Sequence, residues 1–170
     1  AETCKELAKK GVNIFGIHLD RRAGMPQVEK LINELKQYDI KVEFRNMSAT
    51  DETKRKLVIK NLIDIKNIRI KILMHSLAFG ALKPMINDDP SSSLKQNQIE
   101  MTLDVMASSL IYWTQDLFQA KLLQKGSQIF AMTSSGGHRQ WKSYGAVSAA
   151  KASLESYCRQ LALELSEFQI

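Results

Sequence analysis

Apolar and polar positions alternate along this chain with two periods, and the periods trade places at short intervals. Cys4, Leu7 and Ala8 fall on one helical face, and Gly11 ends that helix. Residues 12–19 run apolar as a strand, followed by the charged turn Asp20-Arg21-Arg22-Ala23-Gly24. Val28, Leu31, Ile32 and Leu35 recur at helical spacing, and residues 40–44 alternate as a short strand. Ser48 and Asp51 have the spacing of a capping box, opening a helix that runs to about residue 63. A strand is expected over 68–74. The polar stretch 87–98, with Pro90 and three serines, reads as a mobile loop. A long helix is expected over 99–123, stopped by Gly126, and the last strand covers 127–133. The final helix spans 144–165 and should bury Leu154, Cys158, Leu161, Ala162 and Leu165.

Strands and helices in strict alternation predict an α/β fold, a parallel sheet with helices on both faces, in a single domain spanning 1–170. Ligands of such sheets bind at the carboxyl ends of the strands. The notable loops at that edge are 20–24, 46–48, 75–80 and 133–143.

With 170 residues, 44% apolar and 25% charged, the chain can bury a real core. Its net charge of +6 comes from scattered basic residues with no interleaved aromatics, which favours solvated helix faces over a nucleic-acid groove. The same mild positive field suits an anionic cofactor or an acidic carrier protein without choosing between them. Cys4 and Cys158 sit on apolar helical faces and read as small core residues in a reducing compartment. There is no apolar run of about eighteen residues, no secretory leader pattern and no metal-ligand spacing, so a cytoplasmic protein without a membrane span or metal is expected.

The chemistry concentrates in one stretch. The apolar run Gln128-Ile129-Phe130-Ala131-Met132 leads into Thr133-Ser134-Ser135-Gly136-Gly137, and a helix opening near Tyr144 carries Lys151. Seven residues separate Tyr144 from Lys151, which is two helical turns on one face. An ammonium beside a phenol favours the phenolate. Such a phenol can donate a proton or a strong hydrogen bond to an oxygen gaining negative charge. A hydroxyl at Ser134 or Ser135 could meet the same oxygen. On spacing alone, an incidental Tyr and Lys on a core helix remains the commoner reading.

This segment resembles the active-site strand and helix of the short-chain dehydrogenase/reductase superfamily. Most members place their tyrosine four residues before the lysine, where this chain has Val147; Tyr-x6-Lys is the spacing of the enoyl-acyl carrier protein reductases. The resemblance covers essentially the whole chain and implies a Rossmann-like, doubly wound fold. It makes Tyr144, Lys151 and Ser134 the catalytic residues. Arg21 and Arg22 imply NADPH by pairing with a 2′-phosphate, while Asp20 leaves NADH open and His18 fills the usual acidic position. Asn46 and Met47 match the pair beside the adenine ring. His75-Ser76-Leu77-Ala78-Phe79-Gly80 is similar to the enoyl reductase run at the cofactor ribose, with no proton-transfer role implied for His75. Met106 occupies the place of the asparagine that ketoreductases use to hold a water. Ser134 lies thirteen residues before Val147, at the superfamily's serine, where many enoyl reductases have a second tyrosine.

Expected, then, is reduction by NAD(P)H of the 2,3-double bond of an enoyl thioester on acyl carrier protein or coenzyme A, as in fatty acid biosynthesis. The alternatives are a short-chain ketoreductase acting on a carbonyl, or a catalytically silent cofactor-binding protein. The resemblance also implies a homodimer or homotetramer packed through helices 99–123 and 144–165. Tyr112, Trp113, Phe118 and Tyr157 there either face a partner or complete the intrachain core. It further requires a first strand and glycine-rich turn ahead of Ala1 and more chain beyond Ile170, so the sequence is expected to be part of a longer protein.

Overall fold

A computed structural model describes residues 1–170. Its elements are α1 (Glu2–Lys9), β1 (Ile14–His18), α2 (Met25–Leu35), β2 (Val42–Asn46), α3 (Glu52–Ile63), β3 (Ile72–His75), α4 (Gln96–Leu103), α5 (Ser109–Gln119), β4 (Gln128–Ala131) and α6 (Gly145–Leu165). A π-helical turn, Asp104–Ser108, joins α4 to α5. The chain divides into two compact units, Ala1–Asp51 and Glu52–Ile170. Each contains one parallel strand pair, so the expected parallel sheet is present as two ladders, β1–β2 and β3–β4.

In the first unit, Gly11 adopts φ +72° and ends α1, as the sequence predicts. Ala8, Ile14 and Leu35 form its core, packed by Leu7, Leu31, Val42 and Phe44. Gly16 is needed because the Phe44 ring lies across it; an added Cβ would come within 2.4 Å of Phe44 Cε1. β2 starts two residues later than expected. The Asn13 carboxamide accepts the Lys41 N–H at 2.8 Å, and the Ile40 N–H bonds to Tyr38 O at 2.8 Å. Ile40 therefore belongs to the turn, and pairing opens at Ile14↔Val42. Just ahead of α3, Ser48 closes a local turn on Thr50, their hydroxyls 2.9 Å apart and the Thr50 N–H on Ser48 Oγ at 3.3 Å.

In the second unit, β3 is shorter than the expected 68–74. The Ile70 N–H bonds to Leu122 O and its carbonyl accepts from Ser127 Oγ, so loop contacts take the place of a ladder there. The long helix begins at Gln96 rather than 99, and the segment before it is organised by the Asp89 carboxylate, which accepts from Ser91 and Ser92. Its C-terminal half stops at Gln119, with Lys121 in the left-handed region at φ 57°; Gly126, at φ +84°, shapes the turn into β4 instead of ending the helix. Leu122 and Leu123 are buried in that turn.

Ala107, Leu110 and Leu154 form the core between α5 and α6, with Leu73, Ile129 and Ala131 of the strands packed on it. The free thiol of Cys158 joins this cluster. Ala162, expected inside, is exposed: the inward stripe of α6 continues through Leu161 and Leu165, which leaves Ala162 off the buried face. Trp113 is buried within the chain, and Phe118 stacks edge-on against Phe168 at 4.7 Å. Arg55 Nε donates to Asp116 Oδ2 at 2.5 Å, Lys56 Nζ to Oδ1 at 2.8 Å, and the Arg55 guanidinium sits 5.3 Å above the Tyr112 ring.

Candidate active site

The carboxyl ends of β3 and β4 meet the start of α6 around a cavity of about 260 Å³. Strand β4 ends at Ala131, and the chain then turns through Met132, Thr133 and Ser134. Lys151, two turns into α6, reaches back under these ends. Its Nζ donates to Met132 O at 2.7 Å and to Leu77 O at 3.2 Å, tying the two strand exits together. Lys151 is only 4% exposed and has no carboxylate partner, so burial lowers its pKa. An ammonium has three N–H donors and two are used here, leaving one for a ligand.

Tyr144 is the N-cap residue of α6 rather than a helical residue. The edge of its ring presses on Gly136, where an added Cβ would fall 2.2 Å from Cε1. Trp141 flanks it with ring centroids 5.2 Å apart. The Tyr144 hydroxyl stands 3.4 Å from Ser134 Oγ, and Ser134 Oγ accepts the Gly136 N–H at 3.2 Å. Ser76, Thr133, Ser134, Tyr144 and Lys151 give the cavity its polar side. Leu77, Ala78, Leu82, Met106, Met132 and Val147 line the rest, so the wall is chiefly apolar.

Of the residues expected from sequence, Ser134, Tyr144, Lys151, Ser76, Leu77 and Ala78 therefore converge on one cavity. His75 does not: its imidazole turns toward α5, away from the cavity lining. Ser109 Oγ donates to Val105 O at 2.8 Å, so the 2.8 Å bond between His75 Nε2 and Ser109 Oγ has the proton on nitrogen. The Nδ1 atom has no partner. Burial, aided by the Lys151 charge, pushes the His75 pKa down to about 4. The ring is therefore a neutral brace. Its folded pKa lies below its unfolded value, so its contribution is present above about pH 6.5 and lost as pH falls through about 4. Urea unfolding should show up to about 3 kcal/mol of stability lost between pH 7 and pH 4 from this group, and His75→Gln should flatten that slope. An unchanged slope would remove the brace.

The remaining expected residues belong to the first unit. Asn46 clasps the backbone of Asp20, its Oδ1 accepting the Asp20 N–H at 3.0 Å and its Nδ2 donating to Asp20 O at 2.9 Å. The Asp20 carboxylate meets His18 Nδ1 at 2.8 Å. Arg21 and Arg22 are exposed, and Met47 is buried at 5% exposure.

Several residues escaped the sequence reading. Gly80 lets the chain after β3 press onto Thr102 and Val147, 2.7 and 2.9 Å from where its Cβ would be. Thr102 Oγ1 in turn accepts the Ala81 N–H at 3.0 Å. Glu155 holds the loop carrying Ser134, and the only linear hint was its place one turn after Lys151. No helix is long and apolar enough to cross a membrane.

Parallel strands joined by helical crossovers, with a tyrosine–lysine pair at the strand exits, define the Rossmann-like α/β class of the short-chain dehydrogenase/reductases. The chain belongs to the enoyl-(acyl carrier protein) reductase family, whose family model matches residues 1–170. Among solved structures it is similar to FabI from Alistipes finegoldii in an NADH complex, at TM-score 0.78 and 16% identity, covering 99% of this chain and 57% of that one. It is also similar to a short-chain dehydrogenase from Burkholderia cenocepacia in complex with NADP, at TM-score 0.80 and 18% identity over 98% of this chain and 64% of that one. A 3-oxoacyl-[acyl-carrier protein] reductase from Brucella melitensis aligns at TM-score 0.76 and 20% identity, covering 96% and 64%. The chain thus spans about three-fifths of the length of these structures.

Proposed function

We propose that the intact protein reduces the 2,3-double bond of an enoyl thioester, on acyl carrier protein or coenzyme A, with NAD(P)H. The observation that carries this reading is the Tyr144 hydroxyl, paired at 3.4 Å with Ser134 Oγ on a cavity walled by Met106, Met132 and Val147. The residues fit a nicotinamide nucleotide. Lys151 has one N–H left for a ribose hydroxyl, and Ser76, Leu77 and Ala78 line the same cavity. Arg21 and Arg22 are exposed with no side-chain ion pair, which favours NADPH, while Asp20 at the same turn leaves NADH open.

When bound, the reduced nicotinamide supplies the hydride that reaches the β-carbon. Negative charge then develops on the thioester oxygen as the enolate forms. Tyr144 donates its hydrogen bond or proton to that oxygen, and the Ser134 hydroxyl is placed to assist. Lys151 would hold the ribose through its remaining N–H. The apolar wall excludes water from the acyl chain.

Reduction of a carbonyl is the second reading, favoured by the likeness to the Brucella melitensis 3-oxoacyl reductase. Against it, Val147 occupies the position four residues before Lys151 and Met106 the place of the relay asparagine, both buried. The test is NADPH oxidation by the intact protein with a crotonyl thioester against an acetoacetyl thioester. Enoyl reduction is expected to be faster by more than about ten-fold, the least that two such wall differences should produce. Equal or reversed rates would favour the ketoreductase, and nucleotide binding without turnover on either would leave a silent binding protein.

A further inference from the structure

Thr133 and His138 bracket the short segment that carries Ser134, and both are held by one carboxylate. Glu155 lies on α6, one turn beyond Lys151. Its Oε1 accepts from Thr133 Oγ1 at 2.5 Å, and its Oε2 stands 3.0 Å from His138 Nε2. Arg159, a further turn along α6, adds positive charge nearby. The hydrogen bond from Thr133, then the His138 contact, holds the Glu155 carboxyl below the usual carboxylate range. Between the two anchors the chain makes one tight turn, Ser135–Gly137, with the Gly137 N–H on Ser134 O at 2.9 Å. Gly137 runs against α6: a Cβ there would lie 3.5 Å from Glu155 Oε1 and 3.6 Å from Lys151 Cβ. This turn supplies two of the groups against Tyr144, the Ser134 hydroxyl at 3.4 Å and the Gly136 backbone at the ring edge, with Trp141 the third.

We propose that Glu155 is a positioning residue: by clasping Thr133 and His138 it fixes the Ser134–Gly136 turn against Tyr144, and so sets the angle at which the two hydroxyls meet a substrate oxygen. The clasp contributes little to global stability. His138 is 72% exposed, and exposed ion pairs are worth little in water. Its effect lies in geometry, where a displacement of about an ångström costs on the order of a hundred-fold in rate. Only the kinetic part of this inference rests on the reductase reading above.

The test uses Glu155→Ala and Glu155→Gln in the intact protein, with two readouts. Native trypsin cleavage after Arg139 and Lys142, both exposed in the loop that follows the clasp, needs no substrate. Glu155→Ala is expected to speed cleavage at these two sites several-fold with no change elsewhere and an unchanged melting temperature. On the preferred thioester it is expected to lower kcat by about ten- to a hundred-fold with KM nearly constant. Glu155→Gln keeps an acceptor for Thr133 and should fall between the two. Unchanged cleavage would overturn the clasp. A lowered melting temperature with cleavage throughout would assign Glu155 to general packing instead. If neither thioester turns over, the reductase reading fails, while the cleavage result still decides the clasp.

Discussion

Tyr144→Phe is expected to lower turnover on an enoyl thioester by about 10²- to 10⁴-fold, the range lost when a positioned proton donor is removed. Nucleotide affinity should stay nearly constant. The substitution leaves the ring in place, because Gly136 at its edge and Trp141 beside it contact carbon, not oxygen. Lys151 also stays put, since its Nζ is held by the backbone carbonyls of Met132 and Leu77. Only the O–H is lost. Steady-state kinetics with a separate nucleotide titration would check this. Turnover within a factor of two of wild type would remove Tyr144 from the chemistry.

The largest structural effect is expected at Asp116. Its side chain is 7% exposed, and Arg55, which it binds, is equally shielded at 7%. Burial alone would push the Asp116 carboxyl up; hydrogen bonds from Lys56 and Arg55 outweigh this and leave it below its usual value. Its stabilisation is thus present above the ordinary carboxylate pKa and lost as pH falls through the lowered one. Asp116→Ala strands the Arg55 guanidinium, whose Nη1 already has no partner, and should cost roughly 3–5 kcal/mol. The double variant Arg55→Met/Asp116→Leu should recover much of that loss, because an apolar pair leaves no buried charge. Urea unfolding of the single and double variants separates the two. A single variant as stable as wild type would show the pair to be solvated.

What the sequence made legible was what local pattern controls. Element types followed from apolar period, and Tyr144, Lys151 and Ser134, which line one cavity, could be singled out because they lie within one strand–loop–helix segment. Boundaries failed where a distant partner decided them. Ile40 leaves the strand because Asn13 receives the Lys41 N–H, and Ile70 because it bonds to Leu122, 52 residues away. Lys121 ended a helix that Gly126 was expected to end, since a non-glycine in the left-handed region carries no sequence signature. The Arg55–Asp116 pair, 61 residues apart, was invisible for the same reason. His75 was grouped with the run that follows β3, but it ends the strand and its ring follows Ser109, a residue that α5 brings to it only in the folded chain.

The central claim of the proposed function is that hydride is delivered to the β-carbon of an enoyl double bond, with Tyr144 donating to the thioester oxygen that gains charge. It is tested most directly by incubating the intact protein with a crotonyl thioester and NADPH deuterated at both C4 positions, then locating the label by mass spectrometry. The predicted product is a butyryl thioester with one deuterium on the β-carbon and a solvent proton on the α-carbon. An unlabelled acyl product, or conversion only of an acetoacetyl thioester with deuterium on the new carbinol carbon, would contradict it.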